Sequence, residues 1–141
     1  MRAFSVLAAV VLSGCAPDPI LRVDDAWVRL AANSKSPAAA YFTVYGGPKG
    51  DRLLDVSSPV VIRTELHESM TGGGMASMKP LETGIDIPAG GGVEFKPGGK
   101  HAMMYNVNPG IVPPRTLPMI FVFASGERIT FDARVVPAGG Q

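Results

Sequence analysis

LPMIFVFASGERITFDARVV, residues 117–136, is the stretch whose reading decides the fold. Leu117 to Ala124 is almost continuously apolar, as a central strand of a sandwich is. Ser125, Gly126 and Glu127 bring turn chemistry. Beyond them Ile129, Phe131, Ala133 and Val135 alternate with Thr130, Asp132 and Arg134, the period of two that sets one face in a core and the other in water. A buried strand turning into a half-buried one is the unit of an antiparallel sheet.

The same texture runs back through the chain. Asp25 to Leu30 is an apolar run, followed by a polar loop. Ala38 to Tyr45 (AAAYFTVY) reads as a strand because its aromatic and β-branched residues outweigh the alanines, and Gly46-Gly47-Pro48 ends it. Asp51 to Ser57 is a shorter piece. Ile85 to Pro88 and Val93 to Lys96 flank the Ala89–Gly92 turn, and His101 to Val107 follows a turn at Pro97-Gly98-Gly99. No apolar stripe of helical period persists between caps. Short strands with turn signals at roughly 8–12-residue spacing argue for an all-β sandwich or barrel. The 141 residues suffice for one core, and no repeat or second domain is visible.

The first residues read differently. Arg2 precedes an apolar run from Ala3 to Leu12 that is too short for a membrane-spanning helix, and it ends in Leu12-Ser13-Gly14-Cys15. This resembles the lipobox of bacterial lipoproteins, in which the cysteine is acylated and becomes the new N-terminus. The expected organisation is a signal peptide over 1–14, a lipidated tether over 15–24 beginning at Cys15, and a β-sandwich domain over 25–137. The protein would be exported and held to a membrane by its acyl chains. Cys15 is the single cysteine, so the domain has neither a disulfide framework nor a thiolate for chemistry. Formal net charge is +1, and without Arg2 the charges balance; with no basic run, nucleic acid is excluded as a partner.

The chemistry concentrates between His67 and Met104, which holds both histidines and five of the seven methionines. Val60 to Glu68 alternates, with Val60, Ile62, Thr64 and Leu66 on the apolar parity and Arg63, Glu65 and His67 on the other. His67 is therefore expected to be reachable from solvent near a strand end. His101 and Met103 project from one face of their strand, and Met104 points to the core. Loops at one pole of a sandwich could bring the two histidines together. Gly72-Gly73-Gly74 reads as a loop, with Met75 and Met78 just beyond it. Thioethers are neutral and soft, so they suit Cu(I), which imidazole also tolerates; structural zinc spacings are absent, and a blue-copper site needs a cysteine thiolate. The residues alone leave two readings open, a soft-metal site and methionine used as core filling. Glu65 and Glu68 read as solvated strand-end charges.

From His67 onward the chain resembles the periplasmic copper chaperones of the PCu(A)C family. Their pattern is a His, ten residues, a Met, about twenty-one residues and a His-x-Met; here ten residues separate His67 from Met78, and His101-Ala102-Met103 completes it. Residues 87–91 (IPAGG), 96–99 (KPGG), Ala26 to Arg29 and Ala39 to Tyr41 also resemble the family. Between Met78 and His101 lie 22 residues, one more than the usual spacing, which the Gly90–Gly92 turn can absorb. The resemblance implies a cupredoxin-like Greek-key β-sandwich binding Cu(I) through His67, Met78, His101 and Met103, with Met70 and Met75 as possible auxiliary ligands. It implies a periplasmic carrier that delivers copper to a copper-accepting protein, either the dinuclear copper centre of cytochrome c oxidase or another chaperone, or that buffers copper in the periplasm; the chain is read as a monomer without enzymatic turnover. A copper redox protein and a metal-free structural lipoprotein are the alternatives.

Overall fold

A computed structural model describes residues 13–72 and 75–140 of the chain. The expected leader lies outside them save for Ser13 and Gly14, as do Gly73 and Gly74 of the expected loop and Gln141 of the tail. Among the described residues there is no helix. The strands are β1 (Arg22–Arg29), β2 (Ala38–Tyr45), β3 (Asp51–Ser57), β4 (Val61–Gly72), β5 (Met75–Pro80), β6 (Ile85–Ile87), β7 (Gly92–Phe95), β8 (Lys100–Val107), β9 (Thr116–Phe123) and β10 (Arg128–Val136). Each strand but β5 corresponds to an apolar run recognised in the sequence.

Hydrogen bonding orders the strands β5-β4-β8-β2-β1-β10-β9-β3-β6, and β7 also pairs with β2. The β1–β10 pair is parallel. The β9–β10 hairpin forms as read, with Phe121 opposite Ile129 and Leu117 opposite Ala133. Ala38, Ala40, Phe42 and Val44 of β2 face the core. Phe42 stacks on Phe95 of β7 at 4.2 Å and meets Phe121 of β9 edge-on at 4.8 Å, so one ring ties three strands together. Leu53, Met104, Leu117 and Met119 are fully buried around it.

Two local departures matter for the site. β1 begins at Arg22, inside the segment expected to be tether. A register shift between Asp24 and Trp27, with Asp25 at φ 54°, changes the parity so that Val23 and Val28 both face inward. That bulge breaks the alternation, so a period of two does not reveal the first residues of the strand. The second departure is an interrupted strand. β8 pairs with residues 38–40 of β2 and β7 with residues 42–45, both antiparallel. The chain between them leaves the sheet at Lys96 and returns at Lys100, and His101 follows directly.

Burial separates the two adjacent methionines of β8, because Met104 is in the core and Met103 is half-buried on the other face. Met104→Ala is expected to cost about 2–5 kcal/mol of unfolding free energy in urea titrations, and Met103→Ala clearly less. Asp51 provides a second check. Desolvation raises its pKa, but hydrogen bonds from the Ser125 hydroxyl and from the backbone N–H groups of Arg52 and Ser125 outweigh that and hold it below the ordinary value. A lowered pKa stabilises the fold above the range where the unfolded carboxyl titrates, and that contribution is lost as pH falls through the folded value. Asp51→Ala should therefore lower the urea midpoint at neutral pH, and the gap to wild type should close in acid.

Candidate metal centre

The β4–β8 ladder sets His67 directly opposite His101, Glu65 opposite Met103 and Arg63 opposite Tyr105. These six side chains share the face of the sheet turned away from the core, while Leu66, Ala102 and Met104 occupy the inner face. The histidines thus meet by strand pairing, not through loops at a pole. Their ring centroids lie 5.9 Å apart with planes at 73°. That separation suits two imidazoles sharing one ion through bonds of about 2 Å.

β5 completes the patch from the other side of β4. Met78 pairs with Ser69 and Pro80 with His67, so Met78 lies on the histidine face as a diagonal neighbour of His67. Met103 is the diagonal neighbour of His67 on β8 and faces the small Ala39 of β2, whose single methyl group leaves room for the thioether. Met78 is 57% exposed on the outermost strand, so the cluster has a buried side at His101, 5% exposed, and an open rim at Met78. Met70 and Met75 fall on the reverse face, where Met70 pairs with Ser77 and Met75 with Gly72. Glu68 shares that reverse face and ion-pairs with Lys100 at 3.4 Å.

His67 is more covered than expected, its side chain being 13% exposed, because β5 lies along the half of β4 that carries it. Ile62, expected to point inward, is 82% exposed at the start of β4.

The hydrogen bonds fix which nitrogen each ring offers. Nε2 of His67 lies 3.1 Å from Oε2 of Glu65, an acceptor only, so Nε2 carries the proton and Nδ1 the lone pair. Nδ1 of His101 lies 3.0 Å from the Gly99 carbonyl, so there Nδ1 carries the proton and Nε2 the lone pair. The Gly99 oxygen also accepts from the Ser69 N–H at 3.0 Å, which ties the returning chain to β4. His67 Nδ1 and His101 Nε2 are both buried and have no hydrogen-bond partner among the described residues. Two buried lone pairs without partners, on one face with two thioethers, form a donor set suited to a soft cation. Among the described residues no three His, Cys, Asp or Glu side chains are grouped to hold a metal, so a site here has to draw on the thioethers. Beside His67 a cleft of about 360 Å³ is lined by Leu54, Asp55, Glu65, Leu66, Pro80 and Glu82.

An unpartnered buried nitrogen costs stability, and an apolar replacement avoids the cost. His101→Leu should leave the metal-free protein as stable as wild type or more so in urea denaturation. A loss above about 2 kcal/mol would mean that the protein satisfies Nε2 after all.

Comparison with known proteins adds independent support for the fold and the lineage. A family model described as "Putative lipoprotein LpqE-like" matches residues 21–135. A curated relative from Leifsonia xyli subsp. xyli, itself described as a "Putative lipoprotein", is 26% identical over 108 residues; the match covers 76% of this chain and 64% of that protein. The copper-bound PCuAC domain from PmoF2 superposes with a TM-score of 0.68 at 20% identity, over 86% of this chain and 97% of that one. The Cu(I)-bound DR1885 of Deinococcus radiodurans gives 0.63 at 22% identity, over 87% and 80%. The fold is that of the PCuAC domains, a cupredoxin-like β architecture.

Proposed function

The chain belongs to the LpqE-like lipoprotein family, and from that premise we propose that it is an exported Cu(I) carrier holding one ion between His67, Met78, His101 and Met103. The observation that carries this reading is the pair of buried nitrogens, His67 Nδ1 and His101 Nε2, on neighbouring strands with no partner among the described residues. Two of the superposed structures, the PmoF2 domain and DR1885, contain copper, which favours the same cargo. Met70 and Met75, on the reverse face, are outside the proposed set.

The chemistry is that of a carrier without turnover. Copper is the cargo. Thioethers bind it without releasing a proton, and imidazole binds in its neutral form, so acid competes with the metal. The exposed Met78 is the ligand that a recipient reaches first, and its neutral, weakly held sulfur exchanges readily. Cys15 is exposed and separated from β1 by the short tether Ala16 to Leu21; acylated, it holds the domain at a membrane on the periplasmic side. The recipient is a copper-accepting protein, either the dinuclear centre of cytochrome c oxidase or another chaperone.

The chain from Ala16 onward contains every strand and core residue among the described residues, so it is the material for the test. Titrated with Cu(I) against a competing chromophoric chelator, it should bind one equivalent, and His67→Ala and Met103→Ala should each weaken binding at least about tenfold, or 1.4 kcal/mol. Absence of binding by the wild-type chain overturns the reading. An intense visible charge-transfer band with Cu(II) would favour a redox protein instead.

A further inference from the structure

Glu65 lies two residues before His67 on the same face of β4, and both its carboxylate oxygens are engaged. Oε2 accepts from His67 Nε2 at 3.1 Å and from the Tyr105 hydroxyl at 3.4 Å, and Oε1 lies 3.1 Å from Arg63 Nε. The Arg63 guanidinium rests 4.2 Å over the Tyr105 ring, so the two other partners of the carboxylate brace one another. A solvated strand-end charge would not be held from three sides.

We propose that Glu65 is a positioning residue for His67: it fixes the ring as the Nε2–H tautomer and presents Nδ1 to the ion. This rests on the carrier reading and adds a residue that does not itself touch the metal. A free imidazole shares its proton between two nitrogens and can flip about its ring torsion, so only part of the population offers a given lone pair to a given point. A carboxylate accepts and never donates, so it selects one tautomer and one orientation and makes the remaining lone pair more basic. His101 needs no such side chain, because the Gly99 main-chain carbonyl orients it. One histidine is therefore held by the backbone, and the other by a side chain that substitution can remove.

The test reads the tautomer in copper-free protein, by long-range ¹H–¹⁵N spectra of the chain from Ala16 onward in mildly alkaline buffer. Wild-type His67 is expected as Nε2–H. Glu65→Ala should give mixed His67 tautomers and weaken Cu(I) binding by about 10–100-fold, leaving the His101 tautomer and the urea midpoint close to wild type. Glu65→Gln keeps an acceptor oxygen but adds an amide N–H that can donate to the ring, so it should fall between wild type and Glu65→Ala in both tautomer and affinity. An Nδ1–H tautomer in wild type overturns the proposal, as does Glu65→Ala with tautomer and affinity both unchanged. A wild-type chain that binds no Cu(I) fails the carrier reading while the tautomer spectra still decide Glu65, so the two failures are told apart.

Discussion

Antiparallel pairing places His67 across from His101, and the properties of the site descend from that register. Side chains alternate faces with a period of two, so a slip of one residue would send His67 into the core and Leu66 out to solvent. On the inner face of the same two strands Leu66, Ala102 and Met104 are buried. Their burial makes the slipped register costly, and the apolar side of the ladder thereby holds the polar side in place. The excursion from Lys96 to Gly99 has a related effect, since its last carbonyl both anchors the returning chain to Ser69 and orients the His101 ring.

The parts legible in the sequence were those written in hydrophobic period. The β9–β10 hairpin, the strand at Ala38 to Tyr45 and the inward Met104 all follow from alternation or apolar runs, and each sits where that pattern puts it. The common face of His101 and Met103 followed from the same rule. β5 was not legible because Met75 to Pro80 is exposed along its whole length and so has no buried face to impose a pattern. Without β5, the reverse-face position of Met75 and the cover over His67 could not be foreseen. Glu65 was missed for another reason: a carboxylate two residues from a histidine is common, and only Tyr105 across the ladder, with Arg63 of the same strand resting on its ring, distinguishes a braced group from a solvated one.

The site combines two contrary demands. Polar atoms buried without partners lower stability, and the sheet compensates through the aromatic contacts of Phe42 and the apolar residues behind the histidines. The tautomers direct this cost to one place. Each ring satisfies one nitrogen against an oxygen acceptor and leaves the other bare, so both bare atoms arise on neighbouring strands. The thioethers add soft donors without adding charge, which keeps the cluster compatible with a face that also carries Arg63 and Glu65.

The outermost position of β5 has a consequence for how the protein behaves in a crowded compartment. An edge strand exposed along its length leaves one row of backbone N–H and C=O groups open to a strand from another chain. Covering that edge would hide Met78, so it has to be guarded without being closed. Lys79 sets a charge in the strand and Pro80 ends it with a residue that has no N–H to donate, both of which discourage pairing. The β4–β5 ribbon is thus open to a small ion while it resists being zipped into a neighbour's sheet.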